Sequence, residues 1–278
     1  MSDEQPDEEQ QQREEEEVEE RSSPKGSIVY KAICKEGEHE LQRSTGALAW
    51  SGLAAGLSMG FSFVGQALLH ASLPSAKWQP LIVNFGYSLG FLIVVLGRQQ
   101  LFTENTLTVI LPLLTEKKRE IFFNVLRLWT VVLLANVAGA LIFALVIAKT
   151  DAFEPHVYDA FLILGKEALG GTFAVKLLRG VFAGWLIALM VWLLPFAETG
   201  RIWVIIFLTY FVGLGRMSHV IAGATEAFFV AAVGKASWAE AIGGYVLPAL
   251  IGNIIGGVSL VAAINHAQIV AGEEGEDA

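Results

Sequence analysis

The chain has 278 residues, 54% of them hydrophobic and only 17% charged, against about 25% charged in a soluble domain, which excludes an ordinary water-soluble fold. The formal charge of −9 is accounted for by residues 1–24, where eleven acids meet two arginines, so the remainder is neutral. A lone cysteine, Cys34, excludes an intramolecular disulfide and a cysteine metal site, and no basic arm or patch points to nucleic acid.

Residues 1–24 are rich in Glu and Gln, and Val18 is the one apolar interruption between Met1 and Ser23. Such a segment cannot bury enough surface to offset its ordering entropy, so a disordered acidic cytoplasmic tail is expected. It is either a solvated tail or a docking segment for a soluble partner. It is not a signal peptide, since it is acidic and has no apolar core region. Residues 25–45 carry Lys25, Lys31, Lys35 and Arg43 and are expected to lie at the cytoplasmic interface.

Residues 46–267 read as an all-α integral membrane domain. A spanning helix needs about 20 mostly apolar residues, and segments near 46–69, 80–96, 129–148, 180–197, 202–214 and 241–264 supply six candidates. Two are followed by an extra short apolar piece, 107–114 and 222–233. Lys117, Lys118 and Arg119 between spans two and three, Arg201 between four and five, and the basic residues before span one share one side. Lysine and arginine favour the cytoplasmic side, which places both termini there. Residues 268–278 form a short acidic cytoplasmic tail. No phosphate-binding loop occurs, and the spans hold no nucleophile–base or metal-ligand spacing, so neither an enzyme nor a cofactor or metal is expected.

Polarity interrupts two of the spans in the same way. Span two reaches "LGRQQLF" at Leu96–Phe102, and span five reaches "LGRMSHV" at Leu214–Val220. The span after each carries an asparagine among small residues, Asn136 in "LLANVAGAL" and Asn253 in "LIGNIIGGV". Gly97 and Asn136 are 39 residues apart, and Gly215 and Asn253 are 38 apart. Two halves of three spans therefore share one plan, and an odd number makes the second enter from the opposite face. The expected architecture is a 3+3 inverted repeat whose broken helices meet near the bilayer midplane. Irregular backbone survives at that depth only where protein or a water-filled path satisfies it, so the breaks read as walls of a permeation path.

His219 is the histidine that falls within a broken span. It donates a hydrogen bond or proton to a passing solute, or it is a buried neutral ring held by a neighbour. Thr103, in the other break, offers a hydroxyl that both donates and accepts. Asn136 and Asn253 are expected to tie the broken backbones to adjacent helices. Lys176, in "GGTFAVKLLRG", either concentrates anions or extends to the interface. Arg98 and Arg216 are repeat equivalents that mark a pathway or face headgroups, and Glu104 and Glu226 carry the same two readings.

"LFTEN" after the second span's break, "SHVIAG" in the fifth, "ANVAGA" in the third and "GNIIGG" in the sixth together resemble the formate/nitrite transporter family, over roughly residues 26–267. The resemblance implies an aquaporin-like fold in a bacterial inner membrane, assembled as a homopentamer among lipids with one pore per subunit. It also implies passage of small monovalent anions or their weak acids, such as formate, nitrite, lactate-like acids or hydrosulfide. It assigns Leu101, Phe102 and Thr103 to the loop between the halves of span two and His219 to the pore. Asn253 matches the family's Gly-Asn asparagine, and Lys176 the lysine before the core of span four. An apolar constriction is expected seven residues before the histidine, at Val212, and is assigned to its neighbour Phe211. Lys176, Arg98 and Arg216 are the candidate anion attractors.

Gln100 stands where the family usually has Glu, and Arg216–Ser218 where it has Gly-Phe-Glu. Ala222-Gly223 replaces Ala-Asn, and Ala183-Gly184 replaces Cys-Asn. These departures bear on the substrate rather than the fold. Two further functions therefore stand beside weak-acid transport: a channel for neutral small solutes, and a membrane scaffold or sensor acting through the acidic tail.

Overall fold

The computed structural model describes residues 26–276, and they are helical. The acidic tail expected at residues 1–24 lies outside the described residues. Helix α1 (Gly26–Gln42) precedes α2 (Thr45–Ser72), α3 (Gln79–Leu96) and two short helices, α4 (Asn105–Thr108) and α5 (Ile110–Glu116). Next come α6 (Arg119–Lys149), α7 (Pro155–Leu169), α8 (Phe173–Leu193), α9 (Arg201–Leu214) and α10 (Val220–Ala232). The last rod runs through α11 (Trp238–Ala241), α12 (Leu247–Ile254) and α13 (Ile264–Glu276), joined by π-helical stretches at Ile242–Val246 and Ile255–Ala263.

Among the described residues, five helical segments are long and apolar enough to cross a membrane: Thr45–Ser72, Gln79–Leu96, Arg119–Lys149, Phe173–Phe196 and Trp238–Ala271. At 1.5 Å per residue, the 28 residues of α2 extend about 42 Å, beyond the ~30 Å hydrocarbon layer. The span expected at 202–214 forms α9, whose 14 residues reach only about 21 Å. Residues 268–276, expected as a tail, continue α13. Helix α7 was not anticipated: Pro155 sits in its first turn, and Val157, Ala160, Phe161 and Gly165 form its buried stripe.

In the packing, α2 lies against α3 and α6, while α8 lies against α9, α12 and the second π-helical stretch. The short helices cross over. Helix α10 packs on α6, α7 and α2, and α4 packs on α8 and the π-helical stretch 255–263. Phe63, Phe161 and Phe229 bring α2, α7 and α10 together, with ring centroids 4.7 to 5.7 Å apart. Such aromatic pairs contribute about 0.5–1.5 kcal/mol each beyond the area they bury.

Close crossings need residues without a side chain. A Cβ on Gly56 would strike the Asn136 carbonyl, and one on Gly184 would strike the Asn253 carbonyl. Glycine thus lets α2 approach α6, and α8 approach α12, near backbone contact.

Candidate functional site

Both interruptions begin with the same helix ending. After α3, Arg98 takes a left-handed conformation (φ 50°), its N–H reaching the Val95 carbonyl and that of Gln99 the Val94 carbonyl. After α9, Arg216 does the same (φ 49°), with Arg216 N–H on Gly213 and Met217 N–H on Val212. These are Schellman endings with arginine where glycine is usual. Each arginine then turns to an acid on a neighbouring helix. Arg98 pairs with Glu36 of α1 at 2.9 Å, and Arg216 with Glu167 of α7 at 3.1 Å, both well exposed.

Beyond the endings the backbone is extended and would be unsatisfied without outside partners. Asn136 of α6 supplies them on one side. Its Oδ1 accepts from Phe102 N–H at 2.9 Å, and its Nδ2 donates to the carbonyls of Gln100 (2.9 Å) and Gly52 (2.7 Å). Asn253 of α12 repeats the pattern on the other. Oδ1 accepts from Val220 N–H at 2.8 Å, and Nδ2 donates to Ser218 and Gly180, both at 2.8 Å. Each amide thus pins a break to a neighbouring helix through three bonds, and both asparagines are fully buried.

The two breaks meet at His219 and Thr103, neither of which has any exposed surface. His219 is the N-cap of α10, and its Nδ1 accepts the Ala222 N–H at 3.2 Å. An accepting Nδ1 carries no proton, so the neutral ring holds its proton on Nε2. Nε2 therefore donates to Thr103 Oγ1, 2.8 Å away. That leaves the hydroxyl hydrogen of Thr103 free to donate. Phe91 meets the imidazole edge-on at 4.9 Å and fixes its plane.

Next to this pair lies a cavity of about 170 Å³ whose lining includes Val212, Ser218, Tyr87, Tyr245, Glu226 and Arg216. Val212 is fully buried there, whereas Phe211 is 54% exposed on the outer face of α9. Phe211, the residue expected at an apolar constriction, therefore does not line this cavity, and its neighbour Val212 does. Phe102 is buried against Trp129 at 5.5 Å, on the α6 side, and Leu101 is buried in the core.

Lys176 is buried too, but it lines a separate depression of about 410 Å³ with Lys166, Lys235 and Glu240. The three expected anion attractors, Lys176, Arg98 and Arg216, therefore do not form one cluster. Sequence reasoning missed Tyr245. Its hydroxyl occupies the space a side chain at Gly223 would need, and lies 3.5 Å from the His219 carbonyl. The ring of Tyr245 therefore requires a residue without a side chain at Gly223. Only the small residue signalled it.

Residues 27–267 match the family model described as formate/nitrite transporter. "Inner membrane protein YfdC" of Escherichia coli (strain K12) is 38% identical over 251 residues, covering 90% of this chain and 81% of that protein. A "probable formate transporter" of Methanothermobacter thermautotrophicus is 27% identical over 206 residues, 66% of this chain and 73% of its own. Among solved structures, a pentameric formate channel with formate bound superposes with a TM-score of 0.64 at 20% identity, over 85% of this chain and 98% of the channel. An FNT family ion channel gives 0.70 at 15% identity, over 85% and 97%.

Proposed function

The chain belongs to the formate/nitrite transporter family, and on that premise we propose that it passes small monovalent acids through a path gated by His219 and Thr103. The observation that carries this reading is their 2.8 Å hydrogen bond, made where two interrupted helices meet and both breaks are held by buried asparagines. The matched bonds of Asn136 and Asn253 support a 3+3 inverted repeat. In it α3 with α4–α5, and α9 with α10, each make one broken crossing, giving six in all. The similarity to a pentameric channel supports a homopentamer with one path per subunit, the bacterial relative described as an inner membrane protein supports that location, and the lysine and arginine bias of the loops favours both termini cytoplasmic. The domain so read is residues 46–267, with α1 at the cytoplasmic interface.

The physical problem is the charge. An unpaired ion costs several kcal/mol to bury even after relaxation, whereas a neutral acid that keeps a hydrogen bond costs far less. A solute reaching the Val212 constriction from the adjoining cavity meets one free donor, the Thr103 hydroxyl hydrogen, whose oxygen is held in place by the His219 Nε2–H it accepts. His219 acts by hydrogen bonding. Adding a proton at Nδ1 would set one N–H against that of Ala222 and break the helix cap, so the acid carries its own proton across. Arg216 at the cavity mouth, and Lys176 in its separate depression, raise the local concentration of anions.

Reconstitution in liposomes tests this reading. Formate uptake should follow the concentration of the protonated acid, and His219→Phe should abolish it while the oligomer persists. His219→Gln, which keeps an N–H donor, should retain part of it. Unchanged formate flux in His219→Phe would refute the gate. Glycerol swelling without acid flux would assign the chain to neutral solutes instead.

A further inference from the structure

Two ionisable groups that face the cavity beside His219 have no use in the mechanism above. Glu226, on α10 seven residues after His219, is 9% exposed and lines the cavity, and its carboxyl receives no hydrogen bond from any described residue. Arg179, on α8 and partly exposed, lines the same cavity, and its guanidinium makes no ion pair or hydrogen bond with a described residue. The neighbouring opposite charges behave differently, since Arg216 and Glu167 close on each other at 3.1 Å. The amides on the wall are also occupied, because Gln66 Nε2 donates to Asn84 Oδ1 at 2.9 Å and Asn84 Nδ2 to the Pro80 carbonyl at 2.7 Å.

A carboxyl this buried costs free energy unless a donor reaches it, and a guanidinium always carries its charge. Here the two share a cavity without pairing, so what satisfies them comes from within the cavity. A simple monocarboxylate would answer Arg179 alone and bring a like charge towards Glu226. A solute with a carboxylate at one end and a donor cation at the other would answer both. The volume of about 170 Å³ equals roughly five to six waters at ~30 Å³ each, which admits a solute of about that many heavy atoms.

We propose that this cavity binds a short zwitterionic amino acid, its carboxylate facing Arg179 and its ammonium donating to Glu226. The proposal rests on reading the cavity as one mouth of the path. A zwitterion held there stays at the mouth, because both its charges would have to be shed at the Val212 constriction. It therefore competes with weak acids for entry.

Calorimetric titration of the full-length, detergent-solubilised protein with glycine, acetate and methylammonium tests this. Glycine should bind at least tenfold more tightly than either of the others. Glu226→Gln should remove its advantage over acetate, and Arg179→Gln its advantage over methylammonium. Glycine should also inhibit formate flux in liposomes. Acetate binding as tightly as glycine, with Glu226→Gln without effect, overturns the proposal. So does the absence of glycine binding in protein that retains His219-dependent formate flux, and that result leaves the transport reading standing. Glycine binding without any acid flux does the reverse. If one variant fails to assemble, the wild-type ligand series and the other variant decide.

Discussion

Three hydrogen bonds from one side chain hold each broken helix, so the asparagines are where single-residue changes should cost most. Asn253→Ala strands the Val220 N–H and two carbonyls. At about 1–3 kcal/mol per unsatisfied group, partly relieved by water, a loss of about 2–4 kcal/mol is expected. Asn253→Asp should do worse than Ala despite its similar shape, since it aims a second oxygen at the carbonyls of Gly180 and Ser218. Thermal unfolding of the purified oligomer checks the order; an aspartate variant as stable as wild type would contradict the assigned bonds. Val212 and Phe211 make the second test at this scale. Val212→Phe narrows the cavity and should lower formate flux at least tenfold, whereas Phe211→Ala should leave it within about twofold. The histidine and the threonine stood out because each sits in a repeated polar interruption of an apolar run, and the asparagines because each is the strongly polar residue among small ones in the span that follows. The choice between positions 211 and 212 was not, because a one-residue step turns a helical side chain by about 100°.

At the scale of elements, the two helix endings share a device that neither half explains alone. Left-handed backbone costs a residue with a Cβ about 1–2 kcal/mol, and Arg98 and Arg216 both adopt it. Their exposed ion pairs return at most about 1 kcal/mol. Arg216→Gly should therefore be as stable as wild type or more so, and more stable than Arg216→Ala by about 1 kcal/mol, read from unfolding midpoints. Equal stability of the Gly and Ala variants would argue against strain at this turn. The repeated Leu-Gly-Arg announced both endings in the sequence, and the spacing to each asparagine announced their partners. Helix α7 escaped notice because it is too short to resemble a span, and Asp159, Lys166 and Glu167 on its exposed face give the segment the composition of a loop. The Tyr245–Gly223 contact joins two separate helices, and no periodicity within either reports it.

For the whole molecule, the account is one of two halves that each lend a short helix to the other and meet at one hydrogen bond. Composition alone pointed to a membrane, and the paired interruptions are the sequence feature behind the 3+3 inverted repeat proposed above. The contents of the cavity, a Glu226 and an Arg179 whose charged groups pair neither with each other nor with their neighbours, appear only when α2, α3, α7, α8, α9 and α10 are brought together. The central claim is that His219 and Thr103 work as one unit across the two halves. A double-mutant cycle of formate flux in liposomes, with Thr103→Val, His219→Gln and the pair, measures this directly, because coupled residues lose function non-additively. The account predicts that each single variant slows flux at least tenfold and that the pair is no slower than the slower single. Losses that multiply would mean that the two side chains act independently, and the shared gate would be wrong.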